Sequence, residues 1–180
     1  EFTNRGDFAV EVFGQLNKFL AKECPDMILG VGSIVDAPTA ALYIAQGANF
    51  VVGPILNPEV ARLCNRRKIP YCPGCGSASE IQQAEELGCE IVKVFPGEEV
   101  GGPKFVKSVL APCPWTRIMP TGGVKATRES VTEWIQAGAA VLGIGSDLIR
   151  KDLVEKGDFA AITQRAREVL MWVREARAAK

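Results

Sequence analysis

The sequence predicts an α/β fold, a parallel (β/α)8 barrel whose first strand-helix unit is missing, and three observations lead there. Short β-branched runs alternate with longer amphipathic stretches, one pair about every 20 to 26 residues. The clusters richest in glycine come late in the chain, where a barrel of the TIM type builds its phosphate site. The Gly-x-Gly-x-x-Gly turn that opens a doubly wound sheet, the competing architecture, is absent.

Runs over 27–32, 49–53, 69–72, 90–95, 117–120 and 140–145 read as buried parallel strands, and residues 1–3 read as the end of another. A closed barrel needs eight, so one strand-helix unit and most of a strand are expected upstream of Glu1. Helical patterns lie between the strands. The first covers about residues 7–22. The next three start at Asp36, at Asn57 with Pro58, and at Ser77, each a side chain that can cap free N–H groups. Gly47, Gly88 and Gly138 follow helical stretches, where a left-handed residue ends a helix. A last helix is expected over about 158–178. No linker, low-complexity tract or composition break divides the chain, which reads as one domain over residues 1–180.

Composition removes several classes of function. Twenty-one Lys and Arg balance 21 Asp and Glu, so no basic excess recommends nucleic acid as a partner. No apolar run approaches the ~20 residues that cross a bilayer. There is no histidine, which excludes histidine general bases, Ser-His-Asp and Cys-His nucleophiles and histidine-bound metals. Six cysteines in a chain with its own apolar core fit a reducing, cytoplasmic setting better than a disulfide framework. The tight pair Cys72 and Cys75 lacks the second pair that a zinc site needs and reads as a strand end followed by a Pro-Gly turn.

Chemistry is left to lysine, glutamate, arginine, cysteine or backbone. Alternation along 90–95 puts Lys93 on one face with Ile91 and Phe95 and aims it inward. Apolar surroundings lower a lysine pKa, and a neutral amine is the nucleophile of Schiff-base chemistry. Glu1 and Arg5 share the first strand end: a carboxylate opposite the lysine could move protons, and a guanidinium could grip a carboxylate substrate. Ser33 and Pro54 end the next two strands at the same mouth. Thr121 with Gly122 and Gly123, and Gly145 with Ser146, end the last two, where backbone N–H groups and a short helix after Ser146 could hold a phosphate.

These residues resemble the 2-keto-3-deoxy-6-phosphogluconate and 4-hydroxy-2-oxoglutarate aldolase family, class I pyruvate aldolases on a (β/α)8 TIM barrel. Lys93-Val94-Phe95-Pro96-Gly97-Glu98 is similar to the family's Lys-x-Phe-Pro-[Ala/Gly]-Glu, and Glu1-Phe2-Thr3-Asn4-Arg5 to its Glu-x-Thr-x-Arg. Gly30 to Ser33 and Gly53-Pro54 resemble Gly-x-Gly-Thr and Ser-Pro with one substitution each. Both late glycine clusters match the family's phosphate-binding ends. The resemblance implies Lys93 as the imine former, Glu1 as the proton-transfer residue and Arg5 as ligand of the pyruvyl carboxylate. It places Ser33, Pro54, Phe95 and Thr121 around the substrate, and Gly122, Gly123, Gly145 and Ser146 at the phosphate. It further implies a small keto acid substrate, no cofactor or metal, a homotrimer and a place in Entner-Doudoroff carbohydrate metabolism. A phosphate-binding barrel isomerase or epimerase, and a non-catalytic trimeric scaffold derived from the aldolase barrel, are the alternatives.

Overall fold

The computed structural model describes residues 1–179; Lys180, the last residue of the expected domain, lies outside the described residues. Internal contacts group the chain into two compact units, Glu1–Lys93 and Val94–Lys180.

The first unit carries a parallel sheet of four two-residue strands in the order β1 (Phe2–Thr3), β2 (Val31–Gly32), β3 (Val51–Val52), β4 (Tyr71–Cys72). Phe2 pairs with Val31, Val31 with Val51 and Val51 with Tyr71, so the register advances without a slip. Between the strands run α1 (Ala9–Glu23), α2 (Ala37–Ala45) and α3 (Pro58–Arg67). Local chemistry explains where these helices start. Asp36 Oδ1 accepts from the Thr39 N–H at 2.7 Å, and Asn57 Oδ1 accepts from the Glu59 and Val60 N–H groups at 2.8 and 3.3 Å. Each cap satisfies donors that the first turn leaves without an intrahelical partner. Phe13 of α1 meets Phe2 and Tyr43 edge-on, with ring centroids 5.6 and 5.1 Å apart, which clamps two helices onto the first strand.

Pro73 follows β4 directly, and the chain continues as β5 (Gly74–Cys75) into α4 (Ala78–Glu86), which Ser77 caps. The expected Pro-Gly turn is therefore a strand that changes neighbours. Pro73, which has no N–H, offers its carbonyl to the Lys93 N–H at 3.0 Å, and a Cβ on Gly74 would overlap the Pro54 carbonyl.

In the second unit, Val94 closes β6 (Val92–Val94), and its carbonyl accepts from the Thr121 N–H at 3.0 Å, just past β7 (Ile118–Pro120). Helices α5 (Gly102–Leu110), α6 (Arg128–Ala137), α7 (Lys151–Glu155) and α8 (Phe159–Ala178) complete it. Val131 and Ile135 of α6 pack against Val169 and Ala176 of α8 to form its core. The expected strand over 140–145 reduces to one bridge, Thr121 with Gly143. Ala140 and Gly143 N–H groups still reach the Ile118 and Pro120 carbonyls, both at 2.9 Å, so the segment runs along β7 without a continuous ladder. Gly47, Gly88 and Gly138 all take positive φ, as the helix-ending role requires.

Candidate active site

Lys93 sits in the middle of β6, flanked by Val92 and Val94, which are wholly buried; the lysine itself is 6% exposed. Burial pushes its pKa below the ordinary value. The strongest charge acting against that shift is Glu1, which favours the ammonium, while Arg5 adds to the lowering. The two residues that sequence reasoning set at the first strand end are thus electrostatic neighbours of the buried amine. Glu1 and Arg5 are themselves exposed, at the end of β1.

Cys72 is also an electrostatic neighbour of Lys93, one that sequence reasoning missed. Its thiol is pushed up to about 11, by burial first and then by Glu1. Burial raises Cys64 to about 11, and Cys75 and Cys89 to about 12; the pair Cys72 and Cys75 is free, as are all six cysteines. Among the described residues no group of three or more metal-binding side chains is placed to hold an ion.

Ser33 and Pro54 are half-buried beyond β2 and β3. Ser33 has φ 62°, a left-handed conformation that a non-glycine residue adopts at a cost. Next to Pro54, the Tyr71 hydroxyl donates to the Ile55 carbonyl at 3.0 Å, and Gly74 leaves the Pro54 carbonyl the space that a Cβ would take.

In the second unit Phe95 is half-buried, and the turn over 95–98 is stitched to the glycine cluster: Gly97 N–H donates to Thr121 O at 2.8 Å and Glu98 N–H to Gly122 O at 3.2 Å. Gly122 and Gly123 both take positive φ, at 87° and 80°. The N–H groups of Gly122, Gly123, Gly145 and Ser146 donate to no protein acceptor among the described residues, which leaves them available to an anion. The short helix expected directly after Ser146 begins only at Lys151. Leu148 and Ile149 N–H groups turn back to the Gly145 carbonyl instead, at 3.0 and 3.1 Å, so no helix end supports that cluster. Glu98 is a second residue that sequence reasoning missed: its side chain lies so close to Gly123 that a Cβ there would overlap it.

A buried amine of lowered pKa, with a carboxylate among the charges acting on it, is an arrangement that imine-forming chemistry can use. A family model described as KDPG and KHG aldolase matches residues 1–165, and the chain belongs to that family. It is 32% identical to a 2-dehydro-3-deoxy-phosphogluconate aldolase of Haemophilus influenzae over 94% of this chain and 77% of that one. To the enzyme of the same name from Pseudomonas aeruginosa it is 34% identical, over 84% and 68% of the two chains. The solved structure of a 2-keto-3-deoxy-6-phosphogluconate aldolase of Zymomonas mobilis, with 3-phosphoglycerate, superimposes on 93% of this chain and 76% of that one at 26% identity and a TM-score of 0.78. The fold class is therefore the (β/α)8 TIM barrel that the sequence predicts, and the chain is a class I aldolase, a carbon-carbon lyase.

Proposed function

We propose that the chain cleaves a 2-keto-4-hydroxy acid reversibly through an imine on Lys93. Its substrates are 2-keto-3-deoxy-6-phosphogluconate, giving pyruvate and glyceraldehyde 3-phosphate, and 4-hydroxy-2-oxoglutarate, giving pyruvate and glyoxylate. The observation that carries this reading is the burial of Lys93 and the lowering of its pKa, with Glu1 as the carboxylate acting on it. The neutral amine adds to the C2 ketone, and loss of water leaves a protonated imine. Glu1, through a water molecule, takes the C4 hydroxyl proton. The C3–C4 bond breaks, its electrons pass into the imine, and the aldehyde departs. The enamine then regains a proton at C3, and water releases pyruvate and the free lysine. Arg5 binds the pyruvyl carboxylate; Ser33, Pro54, Phe95 and Thr121 shape the pocket around the keto acid. No cofactor or metal takes part.

The unused N–H groups of Gly122, Gly123, Gly145 and Ser146 favour a substrate with a phosphate, and the Zymomonas mobilis relative was solved with a phosphorylated acid. We read residues 1–180 as one catalytic domain that works as a homotrimer in the cytoplasm. Val12 and Phe19, seven residues apart on one exposed face of α1, and the exposed Phe8 just before the helix favour burial against another copy, and six free thiols suit a reducing compartment.

Incubation with pyruvate and borohydride, followed by digestion, tests the chemistry. An adduct on Lys93 is the expected result; an adduct on another lysine rejects the assignment to Lys93, and none in folded protein overturns the imine chemistry. Gly145→Asp tests the phosphate site, because Gly145 has open space around the position of a side chain. Two like charges ~4 Å apart at an effective dielectric of ~20 repel by about 4 kcal/mol. The Michaelis constant for the phosphorylated substrate should rise by orders of magnitude while cleavage of 4-hydroxy-2-oxoglutarate holds; equal losses would reject the phosphate site.

A further inference from the structure

The geometry points to Tyr43 as a positioning residue that sets the place of Arg5 through Asn4, and so governs recognition of the substrate carboxylate. This rests on the role proposed for Arg5. Tyr43 belongs to α2, on the helix layer, and is wholly buried. Its ring is fixed edge-on against Phe13 and tilted against Phe2, at centroid distances of 5.1 and 6.4 Å. From that anchored ring the hydroxyl donates to Asn4 Oδ1 at 2.7 Å, across 39 residues of chain. Burial raises the Tyr43 pKa, so the hydroxyl stays a donor throughout the working range.

Asn4 is the residue between the last position of β1 and Arg5. Its own N–H donates to the Gly32 carbonyl at 2.9 Å, and the Arg5 N–H turns back to the Thr3 carbonyl at 2.9 Å. The Tyr43 bond therefore adds a side-chain tether to a residue whose backbone is already held, just where the chain leaves the sheet. Phe2 meets the Phe13 and Tyr43 rings and Asn4 meets the Tyr43 hydroxyl, so both point to the helix layer, while alternation puts Glu1 and Thr3 on the other face and the chain turns at Asn4 into Arg5. Fixing Asn4 from behind limits how far the Arg5 backbone can swing in front. A phenylalanine at position 43 would fill the same space; among the described residues the hydroxyl contributes this one bond, and that bond ends on the residue next to the proposed carboxylate ligand.

The test compares two ketones that differ in the carboxylate. Borohydride trapping at Lys93 is measured against concentration for pyruvate and for acetone, in the parent protein, Tyr43→Phe, Asn4→Leu and the double variant, with thermal melting as the folding control. Loss of one hydrogen bond should weaken half-saturation for pyruvate by about three- to tenfold. The limiting trapping rate and the response to acetone should hold within about twofold. The double variant should be no worse than either single one, since both changes break the same bond. Equal changes for pyruvate and acetone, unchanged pyruvate affinity, or additive losses in the double variant would overturn the assignment. Absence of any pyruvate adduct in the parent protein would instead remove the imine reading beneath it.

Discussion

Glu1 lies across Gly32: a Cβ on Gly32 would overlap the Glu1 carboxylate and crowd the carbons that carry it. The neighbouring strand thus has no side chain at this position because the proposed proton-transfer group occupies the space. Gly32 is buried and keeps an ordinary φ, so its lack of a side chain serves the approach of Glu1 and no turn.

Gly32→Ala should therefore displace the acid without unfolding the protein, because the far end of a flexible exposed side chain can move. Cleavage should fall by about 10² or more, the usual worth of a positioned proton-transfer group. Melting should change little. Steady-state kinetics beside a melting curve checks this, and full activity in the alanine variant would place the proton transfer elsewhere.

The electrostatics of Lys93 predict opposite shifts for two neighbours. Glu1 raises the lysine pKa and Arg5 lowers it. In Glu1→Gln the pH at which pyruvate trapping reaches half its limit should move down, and in Arg5→Met it should move up. Trapping rates with cyanoborohydride across the alkaline range read both midpoints.

The same shift has a stability consequence. The folded lysine releases its proton at lower pH than the unfolded one, so between the two pKa values the unfolded chain binds more protons. By linkage, stability rises with pH through that window, up to the ordinary lysine value of ~10.4, and is flat below it. Lys93→Met should abolish this rise, as denaturant titrations at several pH values would show.

Ser33 holds a left-handed φ of 62°. Ser33→Gly should stabilise the fold by about 1 kcal/mol, whereas Ser33→Thr should destabilise it by a similar amount, since a β-branched side chain tolerates that region poorly. Chemical denaturation of both variants measures the pair; a more stable threonine variant would refute the strain.

Helix starts were legible because their signals are local. Asp36, Asn57 and Ser77 each bond to N–H groups two or three residues on, and that information lies within a few letters of sequence. Burial of Lys93 was legible from alternation and apolar flanks. Strand lengths were not: the run over 27–32 pairs as a strand only at Val31–Gly32, because a ladder extends only where the neighbours run alongside. The reason for Gly32, the partner of Tyr43 and the contact of Glu98 with Gly123 all join residues distant in sequence, and no local pattern carries them. The left-handed Ser33 was hidden for another reason, since serine gives no sign of the conformation its surroundings impose.

The high pKa values of the buried thiols bear on how the protein can be handled. With Cys72 at about 11, roughly one molecule in ten thousand carries the thiolate at neutral pH, and for Cys75 and Cys89, at about 12, fewer still. Cys24 and Cys113 are only half-buried. A maleimide dye added at pH 7 would settle on these two, one just past the end of α1 and one just past α5, and leave the buried Cys72, an electrostatic neighbour of Lys93, unmarked. The chain thus comes with two attachment points for fluorescence or surface immobilisation that require no cysteine to be engineered in or out.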